Sequence, residues 1–359
     1  MSAAIVEAWC ARVRDCAACA APLAIGGGGS KAFYGNAVGG ETLDTRALRG
    51  IVDYEPTELV VTALAGTPLA ELELALARER QMLAFEPPHF APGATLGGTV
   101  ATGLSGPRRP YAGAVRDLVL GVRVIDGNGV HLAFGGRVMK NVAGFDVARL
   151  MTGAQGTLGV ITEVSLKCLP APAAESTRMF DFSADEAIRR VNEWGGRALP
   201  LSATCFADGR LLVRLSGAAP AVEAAARKLG GEDLADPLAF WRTVRDQTHS
   251  FFSGADDDAL WRLSVKSTAP FTDFGGEQLV EWGGALRWVR PRAGASLDAA
   301  RLRAFAAANG GHATLFRGAD RTAGVFHPLA AAMLALHRNL KATFDPVRIL
   351  NRGRMYAEL

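Results

Sequence analysis

Four consecutive glycines, Gly26-Gly27-Gly28-Gly29, closed by Ser30 and Lys31, constrain this chain more than any other stretch. A second glycine-rich stretch follows: Pro92-Gly93-Ala94-Thr95-Leu96-Gly97-Gly98-Thr99-Val100-Ala101-Thr102-Gly103-Leu104-Ser105-Gly106. Glycine reaches dihedrals and close distances that a Cβ forbids, so two such loops can bring backbone N–H groups to one pyrophosphate from two sides. The bland reading is a flexible linker. Context opposes it, because Pro22-Leu23-Ala24-Ile25 reads as a short buried strand running straight into the glycines.

The common phosphate loops do not fit. A Walker loop needs Gly-Lys-[Ser/Thr], and here Ser30 precedes Lys31. The dinucleotide fingerprint needs a third glycine where Lys31 stands and a helix directly after it. Residues 32–40, with Tyr34-Gly35-Asn36 and Gly39-Gly40, have the composition of a loop instead.

The chain has 359 residues, 49% of them apolar, enough for two domains with their own cores. Thirty-nine basic and 36 acidic residues balance too closely for a nucleic-acid footprint. No window offers 18 uninterrupted apolar residues and the start lacks a leader pattern, so a soluble cytoplasmic protein is expected. Cys10, Cys16, Cys19, Cys168 and Cys205 form no disulfide framework. Cys16-Ala17-Ala18-Cys19 lies in an Ala-rich helical segment without a second pair, so free thiols and no metal are expected. The basic pair Arg108-Arg109, followed by Arg116, suits phosphate, a partner subunit or a membrane face better than DNA.

Periodicity predicts a helix over 3–19, a strand over 58–65, and a helix opened by Thr67 as N-cap with Pro68 at its first position. Asp126-Gly127-Asn128-Gly129 turns a hairpin between strands at 118–125 and 130–134. Another strand over 157–166 ends at Pro170 and Pro172, which mark the domain boundary. Beyond it lie a strand at 178–182, a capping box at Ser183–Glu186 and a hairpin over 202–215. A helix at 220–229 and strands at 261–267, 284–289 and 312–317 follow. The last helix, 328–344, is expected to bury Leu329, Met333, Leu336, Leu340 and Phe344. The fold class is α+β in two domains, 1–172 and 173–359, with the final helix returning to the first.

The order of the two glycine loops, Gly135–Gly153 and Gly156-Thr157-Leu158-Gly159-Val160-Ile161 resembles the two-lobed FAD-binding domain of the vanillyl-alcohol oxidase and p-cresol methylhydroxylase (PCMH-type) superfamily. Gly106-Pro107-Arg108-Arg109-Pro110, Val138-Met139-Lys140-Asn141-Val142-Ala143-Gly144 and Glu281-Trp282-Gly283-Gly284-Ala285-Leu286-Arg287-Trp288 are similar, within it, to the FAD-binding E subunits of bacterial glycolate oxidase. The resemblance runs to Phe344-Asp345-Pro346 and Asn351-Arg352-Gly353.

That resemblance implies that Gly26, Gly27, Gly28, Gly29, Ser30 and Lys31 wrap the pyrophosphate of FAD. Pro92, Gly93, Ala94, Thr95, Leu96, Gly97, Gly98, Thr99, Gly103, Ser105 and Gly106 would complete the cradle, and Gly156, Gly159 and Ile161 would lie against the adenine or its ribose. The strand around Gly159 and Ile161 reads equally as ordinary core. For Lys140 and Asp146 an interior ion pair and a flavin contact stand level. Several superfamily members attach FAD covalently through a histidine in the first loop; no histidine lies between residues 1 and 88, so the FAD is expected to be noncovalent.

Oxidising a 2-hydroxy acid needs a base for the hydroxyl proton and a cation for the carboxylate. The His-x-Gly-Asp-Gly-Asn-type motif of related catalytic flavoproteins is missing; Gly310-Gly311-His312 is the nearest material. His249 and His312 fall where a base is expected, while His89, His131, His327 and His337 read as structural. Arg262, Arg287 and Arg317 interrupt apolar strands, either as exposed faces or as cations directed into one cleft, with Arg287 the leading carboxylate ligand. The resemblance implies a subunit of a glycolate dehydrogenase that passes electrons to an iron–sulfur subunit beside a homologous catalytic flavoprotein, with any membrane attachment through those partners. Two other readings stand: a non-catalytic electron-relay or assembly subunit, and a stand-alone nicotinamide-dependent flavin reductase.

Overall fold

The structure, a computed structural model, describes residues 2–136, 144–254 and 258–359. Two compact units emerge: one from 1–105, 113–171 and 328–359, the other from 106–112 and 172–327. The first unit thus draws on both ends of the chain, and the second takes a short insert from between the glycine stretches and the hairpin.

In the first unit a five-stranded antiparallel sheet runs Ile51–Glu55, Val60–Leu64, Val160–Lys167, Val119–Ile125, His131–Gly135. Its middle strand, Val160–Lys167, is shielded on both faces, so its polar residues must find partners within the protein. Ser165 Oγ pairs with Thr62 Oγ1 at 2.8 Å, and Thr162 Oγ1 donates to the Arg123 carbonyl at 3.0 Å. The helix Ser2–Ala18 buries Cys10, Val13 and Cys16 against Leu23, Leu43, Ile125, Ile349 and Leu350. A parallel pair, Leu23–Gly26 with Glu41–Asp44, carries the chain into the glycines. The hairpin turn is closed by the Asp126 carboxylate, which accepts from the Asn128 and Val130 amides at 3.0 and 2.9 Å.

Some local expectations need correcting. Thr67 does not cap the helix Leu69–Arg78; its hydroxyl exchanges hydrogen bonds with the Gly50 amide and carbonyl instead. Ser183 accepts from the Glu186 amide at 3.3 Å, but the Glu186 carboxylate pairs with Arg189 and Arg190 rather than completing a box. The final helix, Ala331–Phe344, leaves Met333 and Leu336 exposed and buries Lys341.

The second unit is one eight-stranded sheet, antiparallel throughout, in the order Glu232–Asp233, Ala174–Asp181, Arg210–Gly217, Leu201–Ala207, Gly276–Glu281, Leu286–Pro291, Leu260–Ser264, His312–Arg317. Helices Ala184–Gly195 and Ala219–Leu229 cover one half through Val191, Trp194, Val222 and Ala225. The helix Ala299–Ala308 covers the other through Leu302 and Ala306. Trp282, Gly283 and Gly284 all take positive φ (55°, 66° and 100°) in the turn joining Gly276–Glu281 to Leu286–Pro291. A Cβ on Gly284 would sit 2.4 Å from the Ser267 carbonyl oxygen, so the Trp-Gly-Gly word is a packing requirement. The insert is fastened by Trp282 Nε1, which donates to the Gly106 carbonyl at 3.0 Å, and by Arg108 paired with Glu175 at 2.6 Å.

Candidate functional site

In the first unit the glycine run opens onto a cavity of about 340 Å³. Gly26, Gly27, Gly28, Gly29, Ser30 and Lys31 line it, facing Thr95, Gly97 and Gly98, with Gly156, Gly159 and Ile161 on a further wall. Backbone contact sets the spacing of the two loops: a Cβ on Gly28 would lie 1.4 Å from the Gly93 carbonyl oxygen. Gly29, at φ 73°, has nothing within 4 Å of where its Cβ would stand. Glycine-walled and, among the described residues, lined by no acidic side chain, this space suits a pyrophosphate-bearing ligand.

The other residues of the second stretch support the wall from behind. Leu69 donates to the Ala94 carbonyl at 2.8 Å, and Leu96 donates to that of Thr67 at 2.9 Å. Gly93 abuts Gly28, and Pro92 stands beside it outside the lining. Gly103 ends the helix Leu96–Thr102 in a left-handed conformation, while Thr99 is inside that helix, its buried hydroxyl without a partner among the described residues. Ser105 accepts from the Val115 amide, and Gly106 belongs to the second unit beneath Trp282. Gln155, Asn351 and Arg354 line the cavity as well. Reasoning from motifs missed them, since none belongs to a glycine loop; only the run Asn351-Arg352-Gly353-Arg354 offered a signal.

Asp146 is no interior ion-pair partner. It caps the short helix Val147–Met151, accepts from the Arg149 amide and pairs with the Arg149 guanidinium at 3.2 Å, in exposed positions. Lys140 and most of the Val138–Gly144 motif lie outside the described residues.

In the second unit the three strand arginines separate. Arg287, fully buried, donates to the carbonyls of Gly284, Pro270 and Ala269 at 2.9, 3.1 and 2.6 Å. Burial pulls its pKa down to about 10, which still leaves it charged at neutral pH. Those bonds make it a brace for the turn, and the expectation that it leads carboxylate binding is corrected. Arg317 donates to Gln247 Oε1 at 2.8 Å. His249 caps a single 3-10 turn, accepting from the Phe251 amide at 3.2 Å, and packs edge-on against Phe240. That ties up the Nδ1 lone pair which a base would use.

Arg262 and His312 come together. Arg262 faces Thr314 and Trp288 across the ladder, and Ser264, two residues on, faces His312, so alternation places all of them on one side of the sheet. The Arg262 guanidinium stands 5.2 Å from the Trp282 ring centre, and that of Arg109 stands 4.4 Å from it. His312 is held below the ordinary histidine range, first by desolvation and then by the positive charges of Arg262, His327 and Arg109. His327 Nδ1 accepts from the Ala313 amide at 3.3 Å. His89 pairs with Glu73, His131 with Thr162, and His337 packs on Tyr356.

Residues 3–135 match the FAD binding domain family. Over 338 residues the chain is 50% identical to glycolate oxidase subunit GlcE of Escherichia coli (strain K12), covering 94% of this chain and 93% of that one. The chain belongs to this glycolate oxidase subunit family. Within the same wider group, glycolate oxidase subunit GlcD of Bacillus subtilis (strain 168) is 31% identical over 43% of this chain and 33% of its own length. Among solved structures, alkyldihydroxyacetonephosphate synthase superposes with a TM-score of 0.63 at 17% identity, over 94% of this chain and 74% of that one, which shows the shared fold. Membership extends across both units, so the second unit is as much part of the family as the glycine cavity. Among the described residues no helix is long and apolar enough to cross a membrane.

Proposed function

We infer that this chain is the FAD-carrying subunit of a complex that oxidises glycolate, a small 2-hydroxy acid, to glyoxylate. The full-length relationship to a glycolate oxidase subunit carries the reading, and the glycine-walled cavity supports it. FAD, when bound, supplies an acceptor for the two electrons leaving the substrate carbon.

The chain's own residues then have separable tasks. Gly26–Lys31 and Thr95–Gly98 hold the pyrophosphate with backbone amides, and Gly156, Gly159 and Ile161 receive the adenine end. Arg262, stacked with Arg109 about Trp282, is the cation for the substrate carboxylate. His312, neutral at physiological pH, is the candidate acceptor for the hydroxyl proton. The five cysteines, four of them buried, have no cluster-forming spacing, so electrons leave to an iron–sulfur partner subunit beside a homologous flavoprotein.

One observation favours a second reading, in which the chain relays electrons or supports assembly while the homologous flavoprotein performs the oxidation. The histidine that shares a face with an arginine is made a weaker base by its neighbours, and a general base works best near the operating pH. The visible spectrum of the isolated chain, before and after anaerobic glycolate, separates the two. Bleaching by glycolate establishes a catalytic subunit; flavin that stays oxidised until a partner is added establishes the relay. Bleaching by NADPH instead would revive the nicotinamide-dependent reductase.

A further inference from the structure

Among the described residues, the charged side chains lining the glycine cavity are Lys31 and Arg354, both cationic. They reach it from opposite ends of the chain. Lys31 follows the glycine run directly and is 6% exposed, with its ammonium 5.6 Å from the Phe90 ring centre. Arg354 comes from the C-terminal segment. Its Nε, Nη1 and Nη2 donate to Gln155 Oε1 at 3.2 Å, the Asn36 carbonyl at 2.7 Å and the Ala32 carbonyl at 2.9 Å. These three bonds orient the guanidinium at the cavity wall.

The segment bearing Arg354 is built onto the strand that feeds the glycines. Leu23 donates to the Ile349 carbonyl at 2.8 Å, and the Asn351 amide donates back to the Leu23 carbonyl at 3.1 Å. The Asn351 side chain accepts from the Ile25 amide and donates to the Gln155 carbonyl, both at 2.7 Å. It thus spans the gap between the strand entering the run and the loop that leads to Gly156. A Cβ on Gly156 would fall 2.6 Å from Asn351 Nδ2, so wall and spacer are fitted to each other. Asn351 has φ 39°, a left-handed conformation that asparagine tolerates better than most residues.

Resting on the FAD reading above, we propose that residues 349–354 form a third wall of the cofactor site. Arg354 and Lys31 match the two negative charges of the pyrophosphate, and Asn351 is the positioning residue that sets the width of the cradle. An ionised pyrophosphate diester carries one charge per phosphate, and the two lining cations complement it in sign and number.

The test titrates the full chain, stripped of flavin, with FAD at low and high salt, following flavin fluorescence. Arg354→Gln should weaken FAD about tenfold or more, the scale of one charge-assisted hydrogen bond, and Arg354→Lys should recover part of the loss. Added salt should weaken wild-type binding more than it weakens the Arg354→Gln variant, because screening acts on the charge that has been removed. A wild-type Kd in Arg354→Gln, or a loss that leaves the salt dependence unchanged, overturns the assignment. Should Arg354→Gln lack a cooperative unfolding transition, Lys31→Gln gives the same salt comparison, and an unchanged salt dependence there overturns the charge match. A wild-type chain that takes up no FAD removes the functional reading itself, an outcome distinct from either.

Discussion

Lys341 Nζ lies 2.8 Å from Asp345 Oδ2, and both side chains are shut off from water, at 1% and 0% exposure. The ammonium also donates to the carbonyls of Thr157 and Leu350 at 2.7 and 2.8 Å, and the carboxylate accepts from the Ile349 and Leu350 amides. This one ion pair therefore joins the last helix, the loop after Gly156 and the C-terminal segment. Burial lowers the lysine pKa, while the aspartate works against that shift. A buried pair need not stabilise a fold compared with apolar residues, but removing one partner strands the other.

Lys341→Met should accordingly destabilise the first unit by about 3–5 kcal/mol, the usual cost of breaking a buried ion pair. Adding Asp345→Leu should recover only part of that, because the Ile349 and Leu350 amides then lose their acceptor. Urea unfolding of the single and double variants measures both effects; full recovery in the double variant would contradict the shared role.

Gly28 and Gly29 should fail in different ways. A methyl group at Gly28 collides with the Gly93 carbonyl, so Gly28→Ala must force the loops apart, lowering both the melting temperature and FAD retention. Gly29 faces open space, and Gly29→Asp should cost only about 1 kcal/mol for its left-handed backbone. Its carboxylate would nevertheless repel the pyrophosphate, so a folded but flavin-free protein is expected. Stoichiometric flavin in purified Gly29→Asp refutes the placement of the run.

Arg287 and Arg262 divide stability from substrate affinity. Arg287→Ala leaves three carbonyls without their donor inside the protein and should destabilise the second unit by about 3 kcal/mol or more. Arg262→Ala removes cation–π contacts with Trp282 and Trp288, each worth about 0.5–1 kcal/mol at accessible sites, and should raise the glycolate KM tenfold or more. Steady-state kinetics and thermal melts of the two variants decide the matter. A loss of glycolate affinity in Arg287→Ala with an unchanged melt would restore the sequence-based expectation.

His312 gives the protein an acid-sensitive element. Its pKa in the folded state lies below the unfolded value, so between the two the unfolded chain binds more protons. Stability from this group is present above the ordinary histidine range and is lost as pH falls toward the lowered folded value. His312→Gln should flatten the dependence of the melting temperature on pH between about 7 and about 5. Arg262→Ala should raise the His312 pKa, followed by the NMR titration of its ring, because a positive neighbour has been removed.

Much of the local structure was legible because short-range rules govern it. The Asp126–Gly129 turn, the alternating strands on either side of it and the central apolar strand ending at Lys167 all follow from side-chain period and turn chemistry. The last helix was legible as a helix, yet its buried face was misread. Met333 and Leu336 look like core by hydropathy, whereas the structure buries Lys341 because Asp345 and two carbonyls satisfy it. Hydropathy cannot anticipate a charge whose partners come from elsewhere in the chain.

The site divides in the same way. By itself the sequence determined the glycine loops, the α+β class and the family, since these rest on residues close together in the chain whose backbone freedom or hydropathy sets their role. Tertiary structure alone decided that Asn351 and Arg354 line the cavity, that Arg287 is a brace, and that Arg262 and His312 share one face. The reason is physical: a buried polar group takes its role from the partners that satisfy it, and here those partners come together only through sheet register and chain closure.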